Sequence, residues 1–371
     1  MSNNGVLPFQ MIKDLVANGF ISGISDVHVR SDAIDLPLGN DLLRVQGEFL
    51  PLRNEVVSDL LSGGGIEVYV HDFASPLEVG VTYLSKFGGK IHFPESVYGY
   101  ANPRSNMGRN FVTAKVVADR SPMYDSIGIP GFSGDIWVLI RPDAYPVIAH
   151  PGMAFTQLRL FDRNTILSRL ELEIAVASTP FLYNPDGEQI PFTNMSLDQY
   201  DRDGAYFVTL DFRGDENGCI GWEVIDQKMA VDLFRERGYQ ASDYFRPVYG
   251  RGGYVQLRKG RRYIMSTADR VCVPPTYAAE LRPVEVRFGE FRTHSAGFIG
   301  SGWGWGEGGE AHGRPITLEI TAYEDMIIRP GQPVGKIRYE RMIAPPDHPY
   351  DSIGSSFTKQ SAALLAKQFV V

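Results

Sequence analysis

Apolar positions in this chain alternate with polar ones over short runs. EVYVHDF, WVLIRP, FTQLRLF, YFVTLDF, YVQL, RPITLEIT and GKIRYERM are rich in Val, Ile, Phe and Tyr, and Gly, Pro, Asn and Asp clusters bound them. Many short strands with close turn signals predict a mainly β fold of sandwich or barrel type. Helical spacing is rare. It predicts a helix from Pro8 to Asn18, with proline suited to the first turn and Gly19 to the stop. Two further short helices are expected, one after Asp226 (KMAVDLFRERG) and one near SAALLAKQF at the end. The 39 glycines and 24 prolines are spread along the chain and mark turns.

The strand pattern also repeats. YLSKFGGKIHFPESVYGYANPRSNMGRNF starts at Tyr83 and YIMSTADRVCVPPTYAAELRPVEVRFGEF at Tyr263, a shift of 263 − 83 = 180. Tyr83 meets Tyr263, Pro94 meets Pro274, Pro103 meets Pro283 and Phe111 meets Phe291. PGMAFTQLRLF at Pro151 meets PGQPVGKIRYE at Pro330 with a shift of 179, and IDLPLG around Asp35 resembles TLDFRG around Asp211 with a shift of 176. Three blocks in matching order imply two copies of one β-rich fold. The expected domains are residues 1–185 and 186–371.

Composition narrows the options. The chain has 371 residues, 43% hydrophobic and 22% charged, with a net charge of −8. The length fits two domains, and the negative balance argues against a nucleic-acid-binding face. An anionic ligand must therefore meet a local basic site. Cys219 and Cys272 are the only cysteines, too few for a disulfide framework or a four-cysteine metal site. The N-terminus lacks a basic start followed by an apolar core, and no run reaches the length of a membrane helix, so a cytoplasmic protein without membrane partners is expected.

The two copies have diverged in complementary ways. ANPRSNMGRNF carries Arg104, Ser105 and Arg109, where the second copy has Val284, Glu285 and Gly289. In RPITLEIT, Ile316, Leu318 and Ile320 alternate, so Glu319 points to the other face of its strand. The first copy has Leu139 or Ile140 there and no acid. If the sheet is covered on both faces, Glu319 is a buried carboxylate. One copy retains a cationic cradle and the other an acid.

NPRSNMGR, the turn Gly131 to Gly134, HPGM with LRLF, AGFIGSGW, and RPITLEI with RPGQPVGKI resemble, in that order, the dCTP deaminase and trimeric dUTPase superfamily. Most of the chain is similar to the long, two-copy bacterial form of dCTP deaminase. The resemblance implies tandem dUTPase-like β-barrel or sandwich domains with a few short helices, and hydrolytic deamination of dCTP to dUTP and ammonia, supplying dUTP for thymidylate synthesis. It matches Arg104, Ser105 and Arg109 to the family's triphosphate- and water-binding stretch, with Asn106 in place of a second serine and Gly108 beside it. Glu319 matches the essential glutamate. Ala296, followed by Gly297 and Phe298, matches the residues beside the cytosine, while Gly300 stands where the family has an aspartate. Phe357, Lys359 and Gln360 match the tail that closes over the nucleotide. Arg292 and His294 are further candidates for lining the site, although a satisfied strand histidine is an equal reading of His294. Single-copy relatives form trimers with sites between neighbours. The resemblance therefore implies a composite site, within one chain or across a contact in a homo-oligomer.

Water is a weak nucleophile and needs a general base, the role implied for Glu319. Ser105 is expected to position the water or a phosphate oxygen, and Arg109 to do either. The arginine fork suits oxyanions, and Mg²⁺ is expected to arrive with the triphosphate rather than in a dedicated protein cage. Zinc-dependent base deaminases carry H-x-E and P-C-x-x-C; neither occurs here, so no zinc is expected. GWGWGEGG spells G-x-G-x-x-G at Gly304, Gly306 and Gly309, but EAHGRP follows it instead of a helix, which removes the dinucleotide reading. A mobile loop anchored by Trp303 or Trp305 is expected. Two alternatives stay open: a bifunctional enzyme that also releases pyrophosphate to give dUMP, and a non-catalytic nucleotide-binding protein on the same fold.

Overall fold

The computed structural model describes residues 4–198, 204–226, 228–250, 252–294, 297–353 and 362–371, without the side chain of His294. The chain forms two compact units. The first comprises Ser2–Asn164, Asp226–Gln240 and Ala366–Val371, and the second Thr165–Ile225 and Ala241–Leu365. Residues 165–185 thus pack with the second half of the sequence, and two later segments pack with the first half.

The repeat is visible as topology. One sheet of the first unit has the strand order Val68–His71, Leu42–Val45, Thr82–Lys86, Ile136–Pro142, Val112–Ala118. Its counterpart in the second unit runs Phe245–Tyr249, Cys219–Val224, Arg262–Ser266, Thr317–Ala322, Phe291–His294. A second sheet is built around Ala154–Asp162 and Val97–Pro103 in one unit, and around Pro333–Arg341 and Tyr277–Arg282 in the other. In the second unit, Tyr206, Val208, Ala279, Leu281 and Ile337 from one sheet share a core with Tyr263, Met265, Leu318 and Ile320 from the other. This is the mainly β, sandwich-type architecture that the alternation predicted.

Ladder register fixes the equivalences. Leu84 pairs with Leu139 and Ile264 with Glu319, so 264 − 84 and 319 − 139 both give 180. Gln157 pairs with Asn102 and Lys336 with Arg282, so 336 − 157 = 179 and 282 − 102 = 180. The sequence match at Asp35 does not survive. Asp35 pairs with Gln157, while Lys336, the counterpart of Gln157, pairs with Phe207. The shift here is 207 − 35 = 172, not 176, and Phe207 replaces Asp35. Both strand pairs carry a bulge at the same place, between Ala154 and Thr156 and between Val208 and Thr209.

Helices differ more from expectation. Phe9–Ala17 forms as predicted. KMAVDLFRERG is not helical: Val231–Asp232 pairs in parallel with Val147–Ile148, and Arg237 has φ 51°. The described part of SAALLAKQF, residues 362–369, is not helical either. The Lys367 and Gln368 carbonyls accept from Arg237 and Gly238, and Phe369–Val370 pairs with Tyr239–Gln240. In both segments long-range strand pairing outweighs local propensity. Ser105–Arg109 is a short helix, and Val57–Ser62 and Arg169–Ser178 are helices too, none of them among the three expected. The last carries a capping box, Ser168 with Glu171.

The connection after Leu42–Val45 carries Val57–Ser62, whose Val57 joins Val45, Leu84, Val117 and Leu139 in an apolar cluster on the outer sheet face. In the second unit the equivalent connection contains Asp226–Gln240, which belongs to the first unit. Leu139 is fully buried in that cluster. Leu139→Glu would place an acid among apolar side chains and should cost about 3 kcal/mol or more in a urea unfolding transition. A loss below about 1 kcal/mol would contradict this packing.

Candidate functional site

The cationic stretch of the first unit begins where the strand Val97–Pro103 ends. Pro103 cannot extend the ladder as a donor, and Arg104 caps the helix Ser105–Arg109 with extended backbone. The helix stops at Asn110, and Phe111 follows at φ 51°. Arg104 and Ser105 are half-buried, whereas Asn106, Gly108 and Arg109 are buried, Arg109 at 4% exposure. A guanidinium so far out of water is found only where it is paired or has a task.

Two buried networks hold this helix. Asn106 Oδ1 accepts from Lys367 N at 3.1 Å, and Asn110 Nδ2 donates to the Asn106 carbonyl at 2.7 Å and to Gln368 Oε1 at 3.0 Å. Tyr145 OH donates to Asn110 Oδ1 at 3.0 Å, and Gln368 Nε2 donates to the Leu233 carbonyl at 2.7 Å. Asn106 is therefore committed through its oxygen to the C-terminal segment. The other network centres on Asp35, 1% exposed. Arg30 donates to Asp35 Oδ2 from Nε at 2.9 Å and from Nη2 at 2.5 Å. Arg104 Nε lies 3.2 Å from Asp35 Oδ1, at ion-pair distance, and Arg104 Nη1 reaches the Ala154 carbonyl at 3.5 Å. Sequence reasoning missed Arg30 and Asp35, because the match of Asp35 to Asp211 concealed the replacement by Phe207. Asp211 instead accepts from its neighbour Arg213 in a turn.

In the second unit, Glu319 lies on Thr317–Ala322 between Arg262–Ser266 and Phe291–His294, opposite Ile264 and His294. It is 2% exposed. Leu318 and Ile320 enter the core and Glu319 takes the other face. Thr317 and Thr321 share its face by the two-residue period, with Arg262 and Arg292 opposite Thr321. Arg292 is exposed. Gly297 accepts from Leu281 N at 2.6 Å, and Phe298–Ile299 pairs with Ala279 and Glu280. Ala296, Phe357, Lys359 and Gln360, and the His294 side chain, lie outside the described residues.

The glycine-rich segment is pinned. Arg314 Nη2 pairs with Asp351 Oδ2 at 2.8 Å, Gly306 N donates to the same oxygen at 2.8 Å, and Trp303 lies in the core. Trp305 packs against Tyr183, Cys272 and Ala311. YDSIG occurs at Tyr124 and again at Tyr350, and the aspartate of each accepts a backbone N–H: Asp125 Oδ1 from Val116 N and Asp351 Oδ2 from Gly306 N. Among the described residues, no group of three or more His, Cys, Asp or Glu is arranged to hold a metal ion, and no helix is long and apolar enough to cross a membrane. Burial pushes the Cys272 thiol up to about 12.

Burial raises Asp269 from 3.8 to about 6. A raised folded value gives stability that is full below pH 3.8 and lost as pH rises through about 6. Asp269→Asn should therefore be more stable than the parent by ~3 kcal/mol at neutral pH and indistinguishable from it at acid pH. Unfolding curves at the two pH values check this, and equal stability at neutral pH would contradict it.

The comparisons with known proteins follow the two halves. Residues 3–164 match the N-terminal domain of 2'-deoxycytidine 5'-triphosphate deaminase (DCD), and residues 187–369 match its C-terminal domain. The crystal structure of 2'-deoxycytidine 5'-triphosphate deaminase from Agrobacterium tumefaciens superposes with a TM-score of 0.83 at 27% identity, over 94% of this chain and 98% of that one. No curated protein matches the chain. With family domains covering both halves and a solved relative over nearly its whole length, the chain belongs to the dCTP deaminase family.

Proposed function

We propose that the chain deaminates dCTP by hydrolysis, with Glu319 as the base that activates water and without zinc. The water oxygen bonds to the ring carbon that carries the amine. Glu319 takes one proton from that water and delivers it to the ring nitrogen, and the second proton, from the hydroxyl of the adduct, passes through the same carboxylate to the departing amine. The carbon–nitrogen bond breaks, and the products are dUTP and ammonia, the former feeding dUMP and thymidylate synthesis. Arg104 and Arg109 bind the triphosphate, Ser105 orients the water or a phosphate oxygen, and Gly297 and Phe298 lie beside the base. Mg²⁺ comes with the nucleotide as part of the substrate.

The observation that carries this reading is the burial of Glu319. An acid at 2% exposure, on a strand position where the sister copy has Leu139, is costly to keep without a partner or a task. Membership of the dCTP deaminase family supports the substrate.

Glu319→Gln removes the proton acceptor and should lower ammonia release from dCTP by ~10³-fold, the scale of general base catalysis. Ammonia and pyrophosphate are measured separately on the same samples. Ammonia without pyrophosphate is the expected result for the parent enzyme. A Glu319→Gln variant within tenfold of the parent rate would remove Glu319 from the mechanism, and stoichiometric pyrophosphate would establish the bifunctional alternative.

A further inference from the structure

The two copies differ at one more pair of positions, and they differ there together. In the first unit the buried carboxylate of Asp35 bridges two arginines. Arg30 fills Oδ2 with two donors, and Oδ1 faces Arg104. In the second unit the same register positions hold Phe207 and Val284, both buried in the apolar core, with Phe207 against Phe288 at 5.1 Å between ring centroids. A buried acid that loses its cation is left uncompensated, and so is a cation that loses its acid. Losing both together is the tolerated route. The pair therefore behaves as one unit, retained only in the copy that keeps the cradle.

Geometry adds a reason for retention. Asp35 Oδ1 lies 3.2 Å from Arg104 Nε as an ion pair without hydrogen-bond geometry, and Arg104 Nη1 donates to the Ala154 carbonyl at 3.5 Å. The side chain is about a third exposed. A guanidinium held between a buried carboxylate and a backbone carbonyl has fewer orientations open to it, which lowers the entropy lost when an oxyanion is gripped.

We propose that Asp35 is a positioning residue that sets the Arg104 guanidinium for the phosphates of the nucleotide, with Arg30 as the brace that fixes the Asp35 carboxylate. This rests on the reading of Arg104 as a phosphate ligand. Asp35 itself touches no substrate and is not a catalytic residue.

A double-mutant cycle on the full chain tests it. Asp35→Asn keeps the shape and removes the charge. It should raise KM for dCTP roughly tenfold, the scale of one ion pair to a buried carboxylate, while kcat stays within about threefold. In the Arg104→Ala background the same change should add less than about twofold, because the residue it serves is gone. Equal effects of Asp35→Asn with and without Arg104, or a fall in kcat with KM unchanged, would overturn the proposal. An Arg104→Ala variant with the parent KM would instead overturn the phosphate reading beneath it. If Asp35→Asn does not fold, Asp35→Phe with Arg104→Val reproduces the pair of the sister copy. Its KM should then equal that of Arg104→Val alone, and a further rise would overturn positioning.

Discussion

A charged side chain taken out of water must be matched by a partner or retained for a task, and this cost shapes both halves of the chain. The two units share strand order, register and even the place of a bulge. They differ most where charge is buried. Asp35 with Arg30 and Arg104 in one unit becomes Phe207 and Val284 in the other. Gln157 becomes Lys336, which pairs with Asp198 at 3.1 Å. Leu139 becomes Glu319. In the first two exchanges the buried charge stands with its partner, as the desolvation penalty requires.

Duplication permits this division. With two copies of one sandwich, each is free to lose the parts that the other keeps. The first copy covers its outer sheet face with Val57 and Leu61 over Leu139, and so has no room there for an acid. The second sends the equivalent connection, Asp226–Gln240, to the first unit and carries the acid on that face. The cationic helix is tied in turn to the Lys367–Gln368 segment through Asn106 and Asn110. The last residues of the chain are thus part of the support for residues a third of the way along it.

Much of this was legible in the sequence because it depends on local periodicity. Strand alternation, the Pro8 and Gly19 boundaries, the repeat and the face of the strand that Glu319 takes all follow from spacing, whereas its burial depended on that face being covered. The helix Arg169–Ser178 was legible too, through Ser168 and Glu171, but was not recognised. What could not be read depends on pairing between distant segments. Val231 beside Val147 and Phe369 beside Tyr239 leave no local mark, and their helical-looking spacing misleads. Asp35 was visible but aligned four residues out of register, and only the ladder with Gln157 corrects it. Ala296 and the tail residues Phe357, Lys359 and Gln360 lie outside the described residues and rest on the resemblance alone.

The division between a binding copy and an acid copy is tested most directly by titrating dCTP calorimetrically into Glu319→Gln and Arg104→Ala proteins. The account predicts that Glu319→Gln binds dCTP within about threefold of the parent affinity, whereas Arg104→Ala loses at least about tenfold. Loss of affinity in Glu319→Gln with full affinity in Arg104→Ala would contradict it.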